Sequence, residues 1–185
     1  MAKKDGYLAR SAYKLEEIQQ KYRIIKPTDK ILDLGCAPGA WSQVILKNIG
    51  PKGFLRGVDL KAVTLAAPNA EFVAEDIYKL TLEDFKEAPY DVVVSDMAPN
   101  TTGIQFRDQT LSEELCLRVI DLCDQLLKPN GNMAMKLFQG GGSKEIEMGI
   151  RKRFAKMQML KPKSTRKESK EIFVIGLKKL ANPKI

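Results

Sequence analysis

The run Asp33-Leu34-Gly35-Cys36-Ala37-Pro38-Gly39 constrains the fold more than any other segment of the chain. It follows an apolar, strand-like stretch containing Ile31 and Leu32 and precedes a helix-like one beginning near Trp41. Strand, glycine-bearing loop and helix in that order make the βα junction of an α/β sheet. There Gly35 and Gly39 let the backbone turn sharply and come close to a ligand that a Cβ would obstruct. The spacing narrows the ligand. A dinucleotide fingerprint reads G-x-G-x-x-G, whereas these glycines stand at G-x-x-x-G with Pro38 between them, so the tight pyrophosphate turn is missing. An upstream carboxylate, Asp33, is then free to organise a loop that need not hold a phosphate.

The rest of the chain alternates in the same manner. Strand-like runs fall at residues 31–34, 54–58, 71–74, 91–95, 132–137 and 172–177, with helix-like segments at 42–49, 111–127 and 144–155. Before them, Ala12, Leu15, Ile18 and Tyr22 keep the spacing of an amphipathic helix with Ser11 as a candidate cap. Residues 61–70, with Ala66, Ala67 and Pro68, read as a loop. Residues 157–160 and 172–177 read as two strands joined by a charged loop over 161–170, a hairpin closing one sheet edge. The expectation is an α/β fold: a mostly parallel, seven-stranded sheet with a C-terminal antiparallel hairpin and helices on both faces. Residues 1–185 are expected to form a single domain, with 1–26 a basic segment and helix and 178–185 a frayed tail.

Composition limits the function classes. A chain of 185 residues, 44% hydrophobic, suits one sizeable core. Its net charge of +8 points to a polyanionic partner or simply to solubility. The basic residues cluster at Lys3, Lys4, Arg10 and Lys14, and again at Arg151, Lys152, Arg153, Lys156, Lys161, Lys163, Arg166, Lys167 and Lys170, which favours a coherent patch. Cys36, Cys116 and Cys123 form no C-x-x-C pair, so a reducing, cytoplasmic setting is expected. No apolar run has the length of a membrane span and no signal peptide is visible. There is no histidine, which removes Ser-His-Asp and Cys-His systems and most catalytic zinc sites. No metal site is expected, and any proton acceptor must be Lys, Asp, Glu, Tyr or Cys. No oligomerisation stripe stands out, so a monomer without an obligate protein partner is the default.

Several residues are placed to do chemistry. Asp59 ends the second strand, twenty positions after Gly39, where α/β nucleotide folds put a carboxylate for ribose hydroxyls; the alternative is a strand-end acid facing water. Asp76 ends the third strand and is a candidate for an adenine amino group. Trp41 either walls the loop or packs in the core. The loop is similar to the acidic, Gly-rich first loop of S-adenosylmethionine (SAM) methyltransferases. Ser95-Asp96-Met97-Ala98-Pro99-Asn100 lies at the carboxyl end of the fourth strand, and no aromatic residue follows Pro99 to hold a planar amine, so an oxygen acceptor is the better reading. Lys136, between Met135 and Leu137, must snorkel or serve a purpose. A lysine amine acts as a base only where burial and a second cation bring its pKa from about 10.4 toward roughly 7 to 8.

Five segments together resemble the FtsJ/RrmJ-type ribosomal RNA ribose 2′-O-methyltransferases, over nearly the whole chain: A-R-S-A-Y-K-L ending at Leu15, D-L-G-C-A-P-G-A-W-S-Q, S-D-M-A-P-N, M-K-L-F-Q-G from Met135, and S-K-E-I-F from Ser169. The resemblance implies a Rossmann-like SAM-dependent methyltransferase fold and methyl transfer to a ribose 2′-hydroxyl of large-subunit ribosomal RNA. It places the family's Lys-Asp-Lys-Glu tetrad on Lys14, Asp96, Lys136 and Glu171, and implies cofactor contacts from Gly39, Trp41, Asp59, Asp76 and Asp96. In that scheme Lys136 orients the hydroxyl and accepts its proton, or serves mainly as an electrostatic positioner. Asp96 and Glu171 position the amine and Lys14 adds positive charge. The charge pattern lays RNA across the terminal basic clusters, with contact from Arg166 and Lys167 left open. Ala40 stands where members commonly carry a second glycine, a change a helical backbone tolerates. Two rivals remain at this point: a non-catalytic RNA-binding ribosome assembly factor that keeps a SAM pocket, and an NAD-dependent oxidoreductase, disfavoured by the missing third glycine.

Overall fold

Near-continuous apolar runs such as Val92-Val93-Val94 and Met133-Ala134-Met135 have no polar face to offer water, so a strand made of them must be covered on both sides. The computed structural model, which describes residues 5–99, 105–140, 143–165 and 169–182, shows that arrangement. In chain order the elements are α1 (Ala12–Tyr22), β1 (Lys30–Leu34), α2 (Ala40–Ile49), β2 (Phe54–Asp59), β3 (Ala70–Ala74), β4 (Tyr90–Ser95), α3 (Gln105–Leu126), β5 (Leu127–Phe138), α4 (Ser143–Arg153), β6 (Phe154–Leu160) and β7 (Glu171–Lys179), with a 3-10 turn at Leu82–Asp84. The sheet has seven strands in the order β3-β2-β1-β4-β5-β7-β6. β1 to β5 run parallel, and β7 lies antiparallel to both β5 and β6.

Successive side chains of a strand point to opposite faces, which divides the core in two. Ile31, Val92, Val94, Ala134, Phe173 and Ile175 pack under α1 and α2. Leu32, Leu34, Val93, Met133, Met135 and Val174 pack with residues of α3 and α4. α1 presents Ala12, Leu15 and Ile18, each with no exposure, at the three-residue spacing that puts them on one stripe. Burying Leu15 and Ile18 contributes about 1.5–3 kcal/mol apiece. The expected fold class is therefore the observed one.

The structure also corrects details. Ser11 stands at the N-cap of α1 in helical geometry and makes no side-chain capping bond. The hairpin forms, but β7 is inserted beside β5 and β6 takes the outer edge. β5 begins at Leu127, opposite Tyr90, and its register shifts before pairing resumes at Asn132, because Lys128, Pro129, Asn130 and Gly131 leave the ladder. Lys178 and Lys179, expected in a frayed tail, belong to β7. Lys179 Nζ is buried, donating to the carbonyls of Cys123, Asp124 and Leu127 at 2.6, 2.8 and 2.8 Å.

Candidate active site

The carboxyl ends of β1, β2, β3 and β4 converge around the first loop. Gly35 has φ 77°, and a Cβ there would lie 2.6 Å from Met97 Cγ and 2.9 Å from Met97 N. Only glycine lets the loops after β1 and β4 close on one another. Gly39, at φ 110°, turns the chain into α2. Asp33 does not face open space: it is fully buried and accepts a 2.7 Å hydrogen bond from Ser42 Oγ, with Oδ1 unpartnered. Burial first, then the neighbouring Asp96 and Asp59 charges, push its pKa up to about 7 against the lowering effect of the Ser42 bond. Asp33 thus supports the loop from beneath by tying the end of β1 to the first turn of α2.

A cavity of about 410 Å³ opens at this edge, with Gly35, Asp59, Asp76 and Asp96 in its wall. Asp59 accepts from the amides of Ala37, at 3.0 Å, and Lys61, at 2.9 Å. Each oxygen keeps a lone pair directed elsewhere. Asp76 accepts from the Tyr78 amide at 3.0 Å. Asp33, Gly39 and Trp41 are not part of the wall. Trp41 takes the core alternative: it is 2% exposed, its ring centroid lies 5.5 Å from that of Phe173, and Nε1 donates to Ser11 O at 2.9 Å, joining α2 to the start of α1. Leu60, Ile77 and Tyr78 are also in the wall and were not singled out in the sequence. The signal was present, since each follows within two positions of Asp59 or Asp76; Asp59 does end β2, whereas Asp76, expected to end the third strand, lies two residues beyond the last residue of β3, Ala74.

Beside the cavity stand two ion pairs. Lys136 Nζ donates to the Asp96 backbone oxygen at 2.6 Å and to its Oδ1 at 3.1 Å, with the lysine side chain 7% exposed. Two of its three N–H groups are thereby used, and among the described residues no acceptor takes the third. Lys14 Nζ lies 3.1 Å from Glu171 Oε2 and 5.7 Å from the centroid of the Phe173 ring. Lys136 is paired with Phe173 and Phe138 with Glu171 in the β5–β7 ladder, so Lys136, Phe173 and Glu171 share one face of the sheet. Burial is the largest influence on the Glu171 carboxyl and raises its pKa. The Lys14 bond and charge, the Lys136 charge and the Ser169 hydroxyl outweigh it and hold the group below the usual value.

A second hollow, of about 530 Å³, is walled by Arg10, Ser11, Lys14, Ser164, Thr165, Ser169 and Glu171. It brings the start of the chain against the loop before β7. Gln43 of α2 fixes the approach by accepting from Leu8 N at 2.9 Å and donating to Gly6 O at 3.0 Å. Arg10, Ser164, Thr165 and Ser169 gain meaning only here. Lys3, Lys4, Asn100, Arg166 and Lys167 lie outside the described residues.

The FtsJ-like methyltransferase family model matches residues 7–179. The chain is 48% identical to the ribosomal RNA large subunit methyltransferase E of Bdellovibrio bacteriovorus, across 96% of this chain and 93% of that protein. It is 44% identical to the enzyme of the same name from Desulfatibacillum aliphaticivorans, across 96% and 87%. Among solved structures, a ribosomal RNA methyltransferase of Plasmodium falciparum superposes with a TM-score of 0.82 at 28% identity, covering 95% of this chain and all 100% of that one.

Proposed function

The chain belongs to the FtsJ-like methyltransferase family, and from that membership we propose that it moves a methyl group from SAM to a ribose 2′-hydroxyl of large-subunit ribosomal RNA. The observation that carries this reading is the double position of Asp96, which lines the 410 Å³ cavity and also holds Lys136. A donor in the cavity and an acceptor at the lysine would then be neighbours.

The cavity suits SAM by size and charge. Its volume falls within the range of about 300–1,000 Å³ typical of small-molecule sites. Its wall carries four carboxylates, Asp59, Glu75, Asp76 and Asp96, against one cation, Lys61, a balance fitted to hydroxyls, amino groups and positive charge and ill fitted to a pyrophosphate. Asp59 would receive the ribose diol through its remaining lone pairs, and Asp76 the adenine amino group. The bound sulfonium supplies an activated methyl group.

Lys136, with one N–H that no described residue takes, would orient the 2′-hydroxyl, and Asp96 fixes the direction of the amine. Glu171 stays a carboxylate and restrains Lys14, whose ammonium would meet the RNA from the other hollow. Most of the acceleration assigned to these residues is alignment of the hydroxyl with the methyl group. The rival reading as a non-catalytic assembly factor draws no support from the relatives, which are named as enzymes.

The test is K136A. SAM affinity by calorimetry should stay within twofold of the natural chain, while transfer of labelled methyl to unmethylated large subunits should fall by roughly 10²–10⁴. Undiminished turnover would take Lys136 out of the chemistry.

A further inference from the structure

Phe106, on the first turn of α3, is the most exposed large apolar side chain among the described residues, at 82%. Single exposed apolar residues are ordinary, so its position has to carry the argument. Three positions on, Gln109 lies on the same side of the helix and, with Asp108, walls a third hollow of about 250 Å³. The opposite wall is Phe138, Gln139, Ser169, Lys170 and Glu171. Ser169 and Glu171 also belong to the 530 Å³ hollow of Arg10 and Lys14. Two depressions therefore meet at Glu171, one leading back toward Arg10 and the other forward to the turn that carries Phe106.

We infer that Phe106 is a stacking platform for an unpaired base of the RNA, next to the nucleotide whose ribose sits at Lys136. The inference rests on the methyltransferase reading for the direction of the strand. A ribose that must be brought to a partly buried lysine is reached most readily in an unpaired strand whose bases are splayed, and such bases are held by aromatic faces. The surroundings fit RNA better than an apolar protein partner. Arg107 and Lys170 are exposed close by, and the helix neighbours of Phe106, Gln109 and Thr110, are polar, so the ring does not continue an apolar stripe. An exposed aromatic ring with Arg107 beside it and Lys170 across the hollow, next to the Asp108 carboxyl, offers the stacking face and the cations that a single strand uses.

The chain offers a direct reporter. Its only tryptophan, Trp41, is 2% exposed. Emission added by F106W therefore reports on this surface. Binding of a single-stranded oligoribonucleotide should quench that added emission. F106A should lose roughly five- to hundredfold in affinity for the same strand, as removal of one stacked base does, with duplex and SAM affinities unchanged. F106W should restore the single-strand affinity, and F106L should not. Equal affinity of F106A and the natural chain, rescue by F106L, or F106W emission unmoved at saturating RNA would each overturn the stacking role. Methyl transfer to large subunits by the natural chain is read separately. Quenching of F106W without turnover would retire the enzymatic reading and leave the stacking site standing.

Discussion

Asp33 shows how much a single buried carboxyl can matter beneath a cavity whose wall it does not line. Its pKa is pushed up from 3.8 to about 7, chiefly by burial. In the unfolded chain the group returns to its ordinary value, so between the two the folded protein binds the proton more tightly. Its contribution therefore favours folding most below the unfolded value and is lost progressively as pH rises toward the folded one. D33N removes this titration and keeps an oxygen for Ser42. The stability of D33N relative to the natural chain should accordingly climb from about pH 4 to about pH 7 and level off above, read from urea unfolding at several pH values. Parallel stability curves would mean that another group is responsible. The sequence made Asp33 recognisable as the acid of the first loop, since it ends a strand just before Gly35. Its burial was not legible, because both faces of β1 are covered and neither Asp33 nor its neighbours Leu32 and Leu34 could signal which way they point. Lys136 was easier, as an ammonium among methionines and leucines has few harmless explanations.

α3 and β7 are locked together by a lysine that looked like part of a tail. The last carbonyls of a helix lack intrahelical partners and carry partial negative charge. Lys179 spends all three of its N–H groups on the carbonyls of Cys123, Asp124 and Leu127. Burial holds its amine below the ordinary lysine value, with the Asp124 charge opposing. K179M should leave these carbonyls without their donor and destabilise the fold by roughly 2–3 kcal/mol in urea, with SAM affinity preserved once folded. A loss of a few tenths would show that water replaces the ammonium. The sequence offers no hint of this contact, since Lys178 and Lys179 are a charged pair that follows the apolar run 172–177 and only the antiparallel placement of β7 brings one of them inward. Element ends were lost for similar reasons. α3 starts six residues before the expected 111 because Gln105, Arg107, Asp108, Gln109 and Thr110 show no apolar period. Phe154 and Ala155 were read into a helix, although the chain changes to β6 there and Phe154 packs into the sheet core. The strand centres were legible, because apolar runs of their length need cover on two sides.

The placement of positive charge belongs to the molecule as a whole, and there the sheet separates what the sequence had grouped. Arg10 and Lys14 meet Ser164, Thr165 and Ser169 around the 530 Å³ hollow, and Lys163 N donates to Glu17 Oε2 at 2.8 Å. Among the described residues, the C-terminal wall of that hollow is Ser164, Thr165, Ser169 and Glu171, with no cation of the second cluster in it. Arg151 and Lys152 do not join it. They end α4, whose Ile146 and Ile150 pack into the core on the far side of the sheet from α1, and the adjacent Arg153 is held by Asp124 at 2.8 Å. Linear proximity in a basic run says nothing of which layer a helix will occupy, so that division was invisible beforehand. RNA bound across the hollow should release counterions from contacts with Arg10 and Lys14 and none from α4. The slope of log affinity against log salt should therefore become shallower by about one in R10A and stay unchanged in the R151A/K152A double variant. If the double variant alters the slope and R10A does not, the strand crosses the α3–α4 face instead, and Glu171 no longer lies on its path.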